Sequence, residues 1–157
     1  MKISTIGVVG AGQMGNGIAH VMARAGYGVV LNDINQDALD KGMAAIRANM
    51  ERMVVRDKMK EADMNAALSR ITPTLTLSDL GATDLVVEAA TERETVKQAI
   101  FEDLLPHLKP DTILTSNTSS ISITRLASGT DRPEKFIGFH FMNQVPVKQL
   151  VELIRGI

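Results

Sequence analysis

Apolar, mostly branched residues fill Ile3 to Val9 and stop at Gly10, a pattern that predicts a strand buried on both faces of a sheet. The spacing then becomes helical: Met14, Ile18, Val21, Met22 and Ala25 recur on one face, and Gly26 follows where a helix C-terminus is usually capped. A second apolar run begins at Gly28 and closes on Asn32-Asp33, so the chain opens as strand, helix, strand, one βαβ unit.

From Asp37 a long helix is predicted, because Leu39, Met43, Ile46, Met50 and Met53 recur at intervals of four and three. A shorter helix, Glu61 to Ser69, carries Met64 and Leu68 on its inner side and makes a hairpin with the first, over residues of about 36–70. Ile71 to Leu77 reads as an edge strand, since Pro73 removes a ladder donor. The alternation then resumes with strand Asp84–Glu88, helix Glu94–Leu108, strand Thr112–Ser116, short helix Ser122–Ala127, strand Phe136–His140 and a last strand near Val147–Leu153. Strands linked by helices predict an α/β, doubly wound, mostly parallel sheet, whose ligands bind at the carboxyl ends of the strands.

Composition narrows the function classes. The 157 residues fit one domain, 1–157, and 45% hydrophobic with 22% charged residues is a globular balance rather than a disordered one. With a formal net charge of −1, no bulk field draws the surface to nucleic acid or anionic lipid, so the expected partner is small. The absence of cysteine excludes a disulfide framework, thiol redox chemistry and thiolate metal sites, and no metal is expected. The start, Met1-Lys2-Ile3-Ser4, runs into glycines within ten residues and lacks a cleavage signal, which predicts a cytoplasmic location.

The turn Gly10-Ala11-Gly12-Gln13-Met14-Gly15 matches G-x-G-x-x-G. Its glycines permit a tight turn, close approach of backbone to a pyrophosphate, and close packing of helix on strand, with the anion facing the helix N-terminus. The pattern alone also occurs in purely structural turns; here it follows a strand, opens a helix and precedes Asp33 at the end of the second strand. A carboxylate there accepts the ribose hydroxyls of a dinucleotide, and it favours NAD over NADP, because Ile34-Asn35-Gln36 offers no arginine for a 2′-phosphate. The alternative for Asp33 is a turn or capping aspartate.

Three later segments put polar groups at strand ends. Thr91-Glu92, with Lys97 a turn into the next helix, reads by itself as a solvated helix start. In Ser116-Asn117-Thr118-Ser119-Ser120 one hydroxyl is expected to cap the next helix, and a run of five such residues offers hydrogen bonds to a polar ligand as well. Phe136-Ile137-Gly138-Phe139-His140-Phe141-Met142-Asn143 holds three of the five aromatic residues around one imidazole. Histidine in an apolar wall is commonly a packed core residue, but it also suits proton transfer near neutral pH when a carboxylate holds its other nitrogen. Glu152, a charge out of place in Leu150-Val151-Glu152-Leu153-Ile154, is the economical partner.

The strings GVVGAGQMGNGIAH, LVVEAATE, SNTSSISIT and GFHFMNQVPVKQLVELI, in this order and spacing, resemble the 3-hydroxyacyl-CoA dehydrogenases, particularly the bacterial 3-hydroxybutyryl-CoA type. The resemblance implies a Rossmann domain that holds NAD while the 3-hydroxyl of an acyl-CoA is oxidised to a ketone. By motif position it implies His140 as general base, Glu152 as its orienting carboxylate and Ser119 at the substrate oxygen. Gly10, Gly12, Gln13, Met14, Gly15, Asp33, Glu92, Lys97 and Asn143 are implied as cofactor contacts, and Asn49 and Arg56 as acyl-CoA contacts on the hairpin. The family usually has proline after the asparagine, where Gln144 stands here. The family also continues into a helical C-terminal domain that supplies the homodimer interface and part of the acyl-CoA cleft. The chain is therefore expected to be the cofactor half of such an enzyme, weakly active or inactive by itself. The alternatives are an NAD-binding module without turnover, serving in assembly or structure, and a hydroxyacid dehydrogenase of the 3-hydroxyisobutyrate type. The His140 and Glu152 pair argues against the latter.

Overall fold

The structure, a computed structural model, describes residues 2–118, 120–141 and 151–155. Strands β1 (Thr5–Val9), β2 (Gly28–Asn32), β3 (Ile71–Thr74), β4 (Leu85–Glu88), β5 (Ile113–Ser116), β6 (Phe136–Phe141) and β7 (Val151–Arg155) form one sheet in the order β3-β2-β1-β4-β5-β6-β7. The first six are parallel and β7 is antiparallel to β6. Helices α1 (Gln13–Arg24), α2 (Gln36–Val55), α3 (Glu61–Ser69), α4 (Glu94–Leu104) and α5 (Ile123–Ser128) link them. The order reverses between β1 and β4, which opens a crevice at their carboxyl ends, as the doubly wound pattern predicts.

Side chains on the central strands alternate between two cores. Val8, Leu31 and Val87 pack with Ile18, Ala19, Leu39, Ile46, Met50 and Met64 of α1, α2 and α3. Val9, Val86, Leu114 and Phe136 pack on the other face with Phe101, Leu104 and Leu126 of α4 and α5. There Phe101 meets Phe136 edge to face, with ring centroids 5.2 Å apart. The hairpin of α2 and α3 thus belongs to the first core, and β3 with Pro73 is the sheet edge.

Several boundaries differ from expectation. The edge strand ends at Thr74, because Leu77–Leu80 forms a 3₁₀ turn that buries Leu80 in the second core. Helix α4 ends at Leu104, with Pro106 in a following 3₁₀ turn. Residues 147–150 of the expected last strand lie outside the described residues, and that strand is described over Val151–Arg155, two residues past the expected end at Leu153. Only residues 142–150 separate it from β6, fewer than the dozen or so that a parallel crossover needs, so it returns antiparallel. The cap of α5 is Ser122, whose Oγ accepts from the Arg125 N–H at 3.2 Å, and not a hydroxyl of the run Ser116 to Ser120. Within that run Thr118 Oγ1 instead accepts from the Ser120 and Ile121 N–H groups. Gly26, at φ +105°, ends α1 as expected, a conformation open to glycine at little cost.

At the amino end of the sheet Asp84 ties the chain start to β4. Its carboxylate accepts from Lys109 Nζ at 2.5 Å and from the Ser4 and Thr5 N–H groups, and these bonds, the lysine's first, hold its pKa well below the usual carboxylate range.

His20 on α1 is fully enclosed and neither ring nitrogen has a hydrogen-bond partner. Burial, with Arg24 adding to it, lowers its pKa from 6.5 to about 4. Its contribution is therefore fully present above the unfolded value and is lost as pH falls toward the folded one, since the unfolded chain takes up the proton first. Stability is expected to drop by about 2 kcal/mol on this account between about pH 7 and about pH 5. Urea unfolding of the parent and of His20→Met at both pH values checks it: the drop should be smaller in the variant by that amount, and equal drops would refute it.

Candidate functional site

The carboxyl end of β1 turns sharply at Gly10, which stands at φ +103° and donates its N–H to Asn32 O at 2.7 Å. A Cβ on Gly10 would meet Ala90 Cα at 2.7 Å and Ala89 O at 2.8 Å, so the loop after β4 lies against the turn. A Cβ on Gly15 would come within 1.6 Å of Gly10 O; the helix sits directly on the strand end. Gly12 is the opposite case. It is the N-cap of α1, with no side chain capping the helix, no acidic residue in its first turn, and no atom within 4 Å of where a Cβ would be. The positive end of a twelve-residue helix therefore opens onto free space, with Gln13 exposed and Met14 half-buried beside it.

Asp33 closes the turn from the β2 side. Its Oδ2 accepts from the Ala11 N–H at 2.9 Å and its Oδ1 from the Asn35 N–H at 3.0 Å. The turn aspartate and the ligand aspartate are thus compatible readings of one side chain, because a carboxylate has about four acceptor positions and two remain. Asn35 caps α2 through the Asp37 and Ala38 N–H groups. Sequence reasoning missed Gly42, where a Cβ would meet Ala11 O at 2.6 Å, so α2 packs against the same turn. A glycine inside a helix, costing about 1 kcal/mol against alanine, was the available signal.

Across the switch point, Glu88 ends β4 as a fully buried carboxylate. Its Oε1 accepts from Lys97 Nζ at 2.5 Å and from Ser116 Oγ at 2.7 Å, and its Oε2 from the Ala90 N–H at 2.8 Å. Lys97, implied as a cofactor contact, is itself wholly buried in this pair. Glu92 is exposed and its Oε2 accepts from Thr118 Oγ1 at 2.9 Å and Ser120 Oγ at 2.7 Å, which joins the loops after β4 and β5. Ser119, Asn143 and Gln144 lie outside the described residues.

Strands β6 and β7 pair in a register that sets His140 directly opposite Glu152. Opposed positions of an antiparallel pair share a face of the sheet. Asn49 and Arg56 are set apart from these residues, in the second half of α2 and at its C-cap, beyond the contact of Gly42 with the turn. Asn49 is half-buried and its Oδ1 accepts from the Arg52 guanidinium; Arg56 is exposed. Asn49, Arg52 and Arg56, spaced three and four, share one helix face. Among the described residues no three His, Asp or Glu side chains are gathered as a metal site, and no helix is long and apolar enough to cross a membrane.

The family described as "3-hydroxyacyl-CoA dehydrogenase, NAD binding domain" matches residues 5–157. A 3-hydroxybutyryl-CoA dehydrogenase of Bradyrhizobium diazoefficiens is 58% identical over 155 residues, 99% of this chain and 53% of that protein. A probable 3-hydroxybutyryl-CoA dehydrogenase of Deinococcus radiodurans is 48% identical over 96% of this chain and 54% of its own length. The crystal structure of (S)-3-hydroxybutyryl-CoA dehydrogenase from Ralstonia eutropha superposes with a TM-score of 0.97 at 48% identity, covering 99% of this chain and 55% of the other. The chain spans about half the length of these relatives.

Proposed function

Because the chain belongs to the family of the 3-hydroxyacyl-CoA dehydrogenase NAD-binding domain, we propose that it is the cofactor-binding part of an enzyme that oxidises short-chain 3-hydroxyacyl-CoA to 3-ketoacyl-CoA, or runs the reverse reduction. Residues 1–157 then form one NAD-binding unit with the α2 and α3 hairpin built into it. The observation that supports this reading most is the His140 and Glu152 register on the sheet whose crevice also carries the open glycine turn.

The residues present fit NAD. Gly12 leaves room for a pyrophosphate at the positive end of α1, and Asp33 keeps acceptor capacity for the ribose hydroxyls. When bound, NAD supplies the hydride acceptor for the alcohol carbon. Gly10 and Gly15 hold the turn, Gln13 and Met14 flank it, and Glu92 and Asn143 contact the nucleotide. Lys97 serves the cofactor through Glu88. His140 takes the proton from the substrate 3-hydroxyl, Glu152 orients the imidazole and steadies the imidazolium, and Ser119 contacts the substrate oxygen. Asn49 and Arg56 meet the CoA portion. The reading extends to a cytoplasmic enzyme that works as a homodimer when complete.

The test is oxidation of NADH by acetoacetyl-CoA, followed by absorbance beside a calorimetric titration of NAD. Cofactor binding with any acetoacetyl-CoA-dependent oxidation supports the dehydrogenase. Binding without it, even when a relative's remaining domain is supplied, would make the chain a binding module instead.

A further inference from the structure

We propose that the buried Glu88 and Lys97 pair is a positioning device for the cofactor crevice, one that fixes the loops after β4 and β5 relative to the glycine turn. The proposal rests on the reading of the crevice as an NAD site. An ion pair removed from water contributes little net stability against well-packed apolar residues, so its presence at a strand end calls for another reason. Both side chains are fully buried, and Glu88 is the acceptor for three donors from three places: Lys97 on α4, Ser116 at the end of β5 and the Ala90 N–H in the loop after β4.

Each donor controls a part of the crevice. Ala90 is the residue whose Cα lies 2.7 Å from where a Gly10 side chain would begin, so fixing Ala90 fixes the wall of the glycine turn. Ala89 donates its N–H to Val9 O at 2.8 Å, which binds the same loop to β1. Ser116 leads into the polar run after β5, and the Asn117 N–H bonds to Glu88 O at 2.7 Å. Glu88 therefore holds the end of β5 by both side chain and backbone. Lys97 places its positive charge against this buried acceptor and draws α4 to it.

The two halves of the crevice depend on this device unequally. Asp33 and the β2 end hold the adenosine side, whereas the other half of a dinucleotide lies across the switch point over β4 and β5. Loosening Glu88 should therefore harm binding of NAD and spare a ligand that occupies the adenosine side alone.

The test uses the 157-residue chain, with NAD and AMP titrated by calorimetry into the parent, Glu88→Gln and Ser116→Ala, each checked for folding by thermal unfolding. In folded Glu88→Gln, NAD affinity is expected to fall by about tenfold or more while AMP affinity stays within about twofold. If Lys97 acts only as a direct contact, freeing its ammonium from Glu88 would keep or strengthen NAD binding, and that result overturns the proposal. Should Glu88→Gln not fold, Ser116→Ala decides, because it leaves the ion pair and removes one donor. A loss of about threefold or more for NAD alone supports the device, and equal NAD affinity overturns it. A parent that binds no NAD overturns the underlying reading instead, and the inference falls with it.

Discussion

Alanine at Gly15 is expected to destabilise the fold and abolish NAD binding together, whereas alanine at Gly12 is expected to leave folding intact and still weaken NAD by about a hundredfold. At Gly15 the new methyl group would lie 1.6 Å from Gly10 O, a backbone atom. Gly10 cannot yield easily, since it is held at φ +103° by its bond to Asn32 O and by contact with Ala89 and Ala90. Relief requires α1 to move off β1, which exposes Ile18 and Ala19 of the first core, so the loss should reach or exceed the roughly 1–3 kcal/mol of ordinary overpacking. At Gly12 the backbone is extended and a methyl group touches no protein atom, so the fold has no reason to resist. In the proposed reading, the space it fills is the space a pyrophosphate would occupy. Thermal unfolding and calorimetry on both variants read the contrast, and a Gly12→Ala chain with parental NAD affinity would place the dinucleotide elsewhere.

With a relative's remaining domain supplied, His140→Ala is expected to lower the rate of acetoacetyl-CoA-dependent NADH oxidation by about 10²–10⁴-fold while leaving NAD affinity near the parental value, because the proposed general base would act on the substrate proton and not on cofactor binding. Glu152→Gln should show a smaller loss in the same direction, since it keeps the imidazole and weakens only its orientation and charge. The register predicts coupling: the residues are paired positions of β6 and β7, so the double variant should lose little more than His140→Ala alone. Steady-state rates of the four proteins test this. Unchanged activity in His140→Ala would make the residue a packed histidine of the sheet.

The first βαβ unit was legible in the sequence because its signals agree, apolar runs ending in glycine and a helical stripe ending at Gly26. The hairpin was legible for the same reason, and Glu61–Ser69 stands as expected. The direction of β7 was harder, because an apolar run says nothing of polarity; the short span after Phe141 carried that information. In the site, the glycine turn and Asp33 follow from motif and spacing. Lys97 was marked by the family resemblance alone, and its buried pairing with Glu88 was not foreseen, since an acid at a strand end and a lysine near a helix start resemble solvated groups. Position held the clue: Lys97 precedes Phe101 by four residues and Leu104 by seven, on the buried stripe of α4, and Glu88 shares a strand face with Val86. A charge on a core-facing position needs an opposite charge nearby, the same argument that singled out Glu152.

The most direct measurement is a calorimetric titration of NAD and of NADP into the parent chain and into Asp33→Ala. The parent should bind NAD at least about tenfold more tightly than NADP, because a 2′-phosphate would meet the Asp33 carboxylate. Asp33→Ala should lose about ten- to a hundredfold in NAD affinity and most of the discrimination with it. A parent chain that binds neither dinucleotide, or binds both alike with Asp33 in place, would contradict the account.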